Sequence, residues 1–194
     1  MKRAIYILAI VVLIQSLLTF CILTHKPSID QKVFFDTVTN FCSMTGCYSK
    51  KIDYFAICKH IEAKSKLFKH DKYLIVAVGI FESSLYTNAV HTNINGTIDQ
   101  GIFQINNIWN GELLTPNAPE NPLFTPGFNT YAGCYVFSLC RSRSPDSIFR
   151  SVWRYNGLGE HNHQYPEQVL EIYYQLNLIR QKKEQQTIWR LLWQ

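Results

Sequence analysis

Polar and apolar positions fall into blocks along this chain. The first is Ala4 to Thr24, 21 residues without a charge behind Lys2 and Arg3, long enough to span a bilayer. Residues 26–52 are polar and mixed, broken by the clusters Val33 to Phe35 and Val38 to Phe41, and are expected to form a linker merging into irregular structure or one short helix. From Asp53 to Phe68 the apolar residues Tyr54, Ile57, Ile61 and Phe68 recur at helical spacing, with Asp53 placed as N-cap. Asp71 then opens a second helix, Lys72 to Phe81, that is apolar almost all round and so is predicted to be buried. The polar stretch Asn93-Ile-Asn-Gly-Thr97 predicts the turn of a small hairpin. Four prolines between Leu114 and Gly127 predict a connection or lid without regular structure. Asn129 to Leu139 and Pro145 to Tyr155 are the next helices, and Pro166 to Gln194 a final one with proline in its first turn.

Composition adds a compartment and removes some chemistries. Set apart from its first block, the 194-residue chain is one ordinary domain, large enough for a core without metals or disulfides. The uncharged run is longer than a signal peptide's apolar region and lacks a small-residue cleavage pattern, so an uncleaved anchor is favoured over a cleaved signal. Lys2 and Arg3 are expected to keep the N-terminus in the cytoplasm and to place everything after Lys26 on the far side of the membrane. Lipidation at Cys21 is disfavoured by Phe20, which stands where a small residue is wanted. The net charge of +5 suits an acidic polymer or surface but is modest and dispersed, and no nucleic-acid partner is expected. Five cysteines follow the run, at 42, 47, 58, 134 and 140. In an oxidising compartment some should pair, with one left over, and the Cys42 to Cys47 loop could close locally. Neither their spacing nor His161 and His163 completes a metal site, and no cofactor is expected.

The candidate chemistry sits in the middle of the chain. Glu82 directly follows the buried helix, where apolar surroundings and the helix's negative end both raise a carboxyl's pKa. A glutamic acid protonated near neutrality can donate a proton to a glycosidic oxygen. The segment Glu82-Ser-Ser-Leu-Tyr-Thr-Asn-Ala-Val-His-Thr-Asn-Ile-Asn-Gly-Thr-Ile-Asp-Gln-Gly-Ile-Phe-Gln-Ile-Asn106 resembles the catalytic stretch of the lysozyme-like superfamily, in its Glu-Ser opening, its Asn-Gly-Thr-x-Asp-x-Gly turn and its Gln-Ile-Asn ending. Trp153-Arg-Tyr-Asn-Gly-Leu-Gly159, the closing Tyr165-Pro-Glu-Gln-Val-Leu-Glu-Ile-Tyr173, and the Asn-x-x-x-Gly of Asn129 to Gly133 resemble the small lytic transglycosylases of secretion and conjugation systems more than c-type lysozymes.

The resemblance implies a mainly α, lysozyme-like domain: a helical bundle around a substrate groove, with a small β-hairpin. It implies Glu82 as the single acid and base, Tyr155 hydrogen-bonded to its carboxyl, and Gln104, Asn106 and Asn156 along the sugar groove. Phe103 would form an apolar platform and Ser83 would support the turn after the helix, both within the substrate-binding set. The implied reaction cleaves the β-1,4 bond between N-acetylmuramic acid and N-acetylglucosamine by attack of the muramic C6 hydroxyl, leaving a 1,6-anhydro end. Asp99 occupies the position of a lysozyme's second carboxylate, with a hairpin-holding role as the alternative. A muramidase using both acids, or a silent wall-binding assembly subunit, are the other readings. Gly127 stands where the family pattern has a cysteine, leaving Cys134 or Cys140 as partner for Cys58. Trp109 and Tyr131 are candidate sugar-stacking residues. The division expected is 1–25 anchor, 26–52 linker, 53–176 domain and 177–194 helical tail, whose Lys182, Lys183, Arg190 and tryptophans offer a membrane or apparatus-subunit contact.

Overall fold

Every expected helix between residues 53 and 155 is present in the computed structural model, which describes residues 28–114, 122–157 and 163–193. Residues 33–194 make one unit and residues 1–32 another. Among the described residues no helix is long and apolar enough to cross a membrane; the run from Ala4 to Thr24 lies outside them.

Helix α1, Ile29–Thr45, stands where a linker with irregular structure or one short helix was expected, and at 17 residues it is longer than that reading allowed. Its Phe34, Val38, Phe41 and Cys42 are buried on one stripe at spacings of three and four, and Phe34 meets Tyr73 edge to face at 5.0 Å. Polar residues in and around the two apolar clusters disguised that stripe. Three of them are threonines whose hydroxyls donate to the carbonyl four residues back, Thr37 to Val33, Thr39 to Phe35 and Thr45 to Phe41, which satisfies them without leaving the helix. Helix α2, Tyr54–Phe68, starts as expected from Asp53, whose carboxylate accepts from the Ala56 N–H. Helix α3, Lys72–Ser83, is capped likewise by Asp71 on the Tyr73 N–H, and residues 73–80 are all buried. Phe81, expected inside, is partly exposed where the helix emerges.

The expected hairpin carries a third strand. Strands β1 (Val90–Thr92), β2 (Ile98–Gln100) and β3 (Ile105–Asn106) are antiparallel in that order, with His91 opposite Asp99 and Asp99 opposite Asn106. A short helix, α4 (Asn110–Leu113), follows. Of the proline-rich stretch, residues 115–121 lie outside the described residues, 122–124 form a 3-10 turn, and Pro126 opens α5 (Pro126–Ser142) rather than preventing it. Proline suits that first turn because no intrahelical bond is lost there. Helices α6 (Ile148–Tyr155) and α7 (Gln164–Leu192) complete the chain. Helix α7 runs through position 177 unbroken, so the tail is its continuation; Val169 and Leu176 are buried, whereas Ile188, Trp189, Leu192 and Trp193 are exposed.

Helix α3 is the buried centre, packed against α2 and α7; α5 packs on α2 and α6, and α6 on α7. All five described cysteines are free thiols, so the expected pairing is not formed. Gly127 faces the His60 ring, which a Cβ there would approach to 3.1 Å.

One side chain ties this helical core to the sheet. Asn129, 1% exposed on α5, accepts from the Phe103 N–H through Oδ1 and donates through Nδ2 to the Gln100 and Leu123 carbonyls. One turn on, Gly133 lies so close to Phe103 that a Cβ would sit 2.5 Å from its ring. At Gly101, with φ +76°, a Cβ would run into Asn129 and the Leu123 carbonyl. The Asn-x-x-x-Gly spacing thus presents a hydrogen-bonding hub and a gap to one loop, residues 101–104, which leads into the groove.

Candidate functional site

Helix α3 ends by turning sharply. Ser84 and Leu85 both adopt the left-handed conformation, φ 55° and 65°, and their N–H groups return to the Ile80 and Gly79 carbonyls. Such backbone is costly for residues other than glycine and persists only where packing enforces it; Leu85 is fully buried. The turn leaves Glu82 half-buried on the wall of a groove of about 970 Å³. Burial pushes its carboxyl up to about 7 against a lowering hydrogen bond from Tyr165, and the Asp99 charge adds a smaller rise. The Tyr165 hydroxyl donates to Glu82 Oε1 at 2.5 Å. Tyr165, 4% exposed in the first turn of α7, is held by Phe81, whose ring meets it edge to face at 4.9 Å.

Opposite Glu82 the sheet supplies a polar wall. Asp99 accepts from Asn93 Nδ2 at 2.8 Å and from Asn106 Nδ2 at 2.6 Å, one bond to each oxygen. Asn106 also donates to Thr97 and caps the Ile108 N–H. Asn93, Asp99, Asn106 and Trp109 all line the groove. Between the walls Gln104 takes a left-handed backbone, φ 44°, with its side-chain amide on the Gly101 carbonyl. That strained position turns the chain from the buried Phe103 into the open groove, which Gln104 lines. Tyr155, Asn156 and Arg154 of the α6 end close the far side.

The groove therefore gathers Glu82, Asp99, Gln104, Asn106, Tyr155 and Asn156 among the expected site residues. Three expectations need correction. Tyr155 donates to the Phe103 carbonyl at 2.9 Å, and the bond to Glu82 comes from Tyr165. Ser83 does not line the groove; its hydroxyl donates to the Ile102 carbonyl at 2.8 Å, pinning the 101–104 loop to α3. Phe103 is 1% exposed beneath Gly133 and offers no platform to a ligand. Trp109 keeps its candidacy as a stacking residue, whereas Tyr131 stacks on Tyr135, outside the groove. His161 lies outside the described residues, and His163 packs against Trp153. Among the described residues no group of three His, Cys, Asp or Glu side chains could hold a metal.

Sequence reasoning missed Tyr165 as a site residue. No local signal singles it out, because the packing of α7 on α3 is what brings it to Glu82. Asn93 and Arg154 were also missed as groove residues, the one having been read as a turn former and the other as part of a motif.

Against known proteins, the family model for the transglycosylase SLT domain matches residues 59–170, more than half of the chain and every groove residue named above. Neither the curated proteins nor the solved structures contain a match to the chain.

Proposed function

We propose that this chain, which belongs to the transglycosylase SLT domain family, is a lytic transglycosylase that cleaves the β-1,4 bond of peptidoglycan with formation of a 1,6-anhydro-muramyl end. The observation that carries the proposal is Glu82, a carboxyl whose pKa reaches about 7 on the wall of a groove of about 970 Å³. Protonated, it gives its proton to the glycosidic oxygen as the bond to the muramic C1 breaks. As carboxylate it then removes the proton of the C6 hydroxyl while that oxygen bonds to C1. One group near neutral pKa serves both steps well, since it gains and loses the proton at little cost. Tyr165 holds the carboxyl in place throughout, and Gln104 and Asn156 offer hydrogen bonds to sugar hydroxyl and acetamido groups, while Asn106 holds the groove wall through Asp99 and Thr97.

Asp99 is the other carboxylate lining the groove among the described residues, and it favours a second reading, a muramidase in which it stabilises or attacks the sugar cation. Both of its oxygens are already engaged by Asn93 and Asn106, which supports a structural role in the sheet. Digestion of purified peptidoglycan, with the products weighed, separates the two. Anhydro-muropeptides, and Asp99→Asn retaining a tenth or more of the activity, are expected. Products one water heavier, lost equally in Asp99→Asn and Glu82→Gln, establish the muramidase. A wild-type protein that binds strands and releases nothing leaves the wall-binding subunit.

The proposal extends to place. The uncharged run behind Lys2 and Arg3 supports tethering to the outer face of an inner membrane, where a single small domain would open the wall locally for a secretion, conjugation or pilus apparatus. Retention of the full-length chain in membranes washed at alkaline pH is the expected result; release into the wash defeats the tether.

A further inference from the structure

Beside the groove, behind Arg154 and Tyr155, lies a second cavity of about 260 Å³. Arg154 and Tyr155 wall both spaces, so the smaller one is a side chamber of the larger. Its lining is divided: Val136, Leu139 and Cys140 are apolar, and Arg143 and Arg154 bring two positive charges. Among the described residues no carboxylate pairs with either arginine. Arg154 is fixed in direction, because its Nε donates to the hydroxyl of the buried Ser144 at 2.8 Å. That bond uses the inner edge of the guanidinium, whose two terminal nitrogens form the fork that grips a carboxylate. The two charges converge on the Cys140 thiol: burial pushes it up to about 11, and Arg143 and then Arg154 act against that rise.

Two cations at the edge of an apolar chamber call for an anion on a short arm. Accepting the peptidoglycan reading of the groove, the strand itself offers only one kind. Its sugars are neutral, and every second one carries a lactyl arm that ends either in a free carboxylate or in a stem peptide bearing carboxylates. We propose that the chamber is a subsite for the carboxylate of this muramyl arm, and that the enzyme selects strands on which the arm is anionic. Arg154 and Arg143 grip the carboxylate; Val136 and Leu139 accept the aliphatic part of the arm.

The test uses the full-length chain carrying Glu82→Gln, titrated calorimetrically with three soluble glycans. One keeps its stem peptides, one is stripped by an amidase to free lactyl carboxylates, and one keeps its peptides with every carboxylate converted to a methylamide. At least one of the first two is expected to bind about tenfold more tightly than the third, and which one does so identifies the source of the carboxylate. Adding Arg143→Gln or Arg154→Gln should collapse that preference, with circular dichroism showing an unchanged fold. Equal affinity for all three glycans, or a preference that survives both substitutions, overturns the subsite. The wild-type products are scored separately: cleavage without preferential binding defeats the subsite alone, whereas preferential binding without anhydro products defeats the transglycosylase reading and leaves the subsite standing.

Discussion

Glu82→Gln is expected to lower peptidoglycan turnover by about 10³-fold or more, the usual worth of a positioned acid and base, and at the same time to make the chain more stable at pH 8. The second half follows from the first group's pKa. The carboxyl ordinarily titrates at 4.5 and is raised to about 7 in the folded chain. Below about pH 4.5 folded and unfolded forms both hold the proton, and the site costs nothing. As pH rises from there to about 7 the unfolded form releases the proton while the folded form keeps it, so stability falls. Above pH 7 the full penalty, about 3 kcal/mol at most, persists. Glutamine carries no charge and still accepts from Tyr165, so urea unfolding should show Glu82→Gln more stable than wild type at pH 8 and level with it at pH 4. An equal shift at both values defeats the desolvation argument. Activity gives a companion test: kcat/KM should fall as pH rises past about 7, and in Tyr165→Phe that limb should move to higher pH, because the lost hydrogen bond is the one that lowers the Glu82 pKa.

Asn129→Ala should destabilise the fold by about 3–5 kcal/mol, because it strips partners from one buried N–H and two carbonyls at once. The loss should exceed that of an ordinary truncation, since Gln100 and Phe103 flank one loop, Leu123 belongs to another stretch, and this amide bonds to all three. The measurement is urea unfolding followed by tryptophan fluorescence, alongside turnover at a denaturant-free reference. Turnover should fall further than the folded fraction does, since the loop that presents Gln104 loses one of its anchors and keeps the bonds from Ser83 and Tyr155. Gly133→Ala should resemble it by a different route, by displacing the Phe103 ring. A loss below about 1 kcal/mol for Asn129→Ala, no more than one ordinary hydrogen bond, would refute the hub.

How much of this was legible in the sequence depends on how local the cause was. Helices α2 and α3 could be read because Asp53 and Asp71 cap them and their apolar positions recur without interruption. The Asn95-Gly96 turn could be read because its φ of +80° at Gly96 is what that residue pair favours. Helix α1 could not, since threonines at three positions look like loop formers until their hydroxyls are seen on the preceding turn. In the site, Glu82 and the segment to Asn106 were found as one contiguous pattern. The identity of the tyrosine that holds Glu82 was not, because Tyr155 and Tyr165 stand ten positions apart and only the packing of α7 on α3 decides between them. Ser83 and Phe103 were placed in the right neighbourhood with the wrong orientation, a distinction made by burial and not by order along the chain.

The bond between Tyr165 and Glu82 joins residues 83 positions apart, and this sets when the site is finished as the chain is made. A ribosome delivers the acid long before the hydroxyl that aims it, and the segment from α5 to the start of α7 must follow before the groove has two walls. A nascent or truncated chain ending short of Tyr165 therefore holds the acid without its aim, and the site is finished only when α7 docks on α3. Synthesis order thus delivers the acid first and its restraint last among the parts of the site.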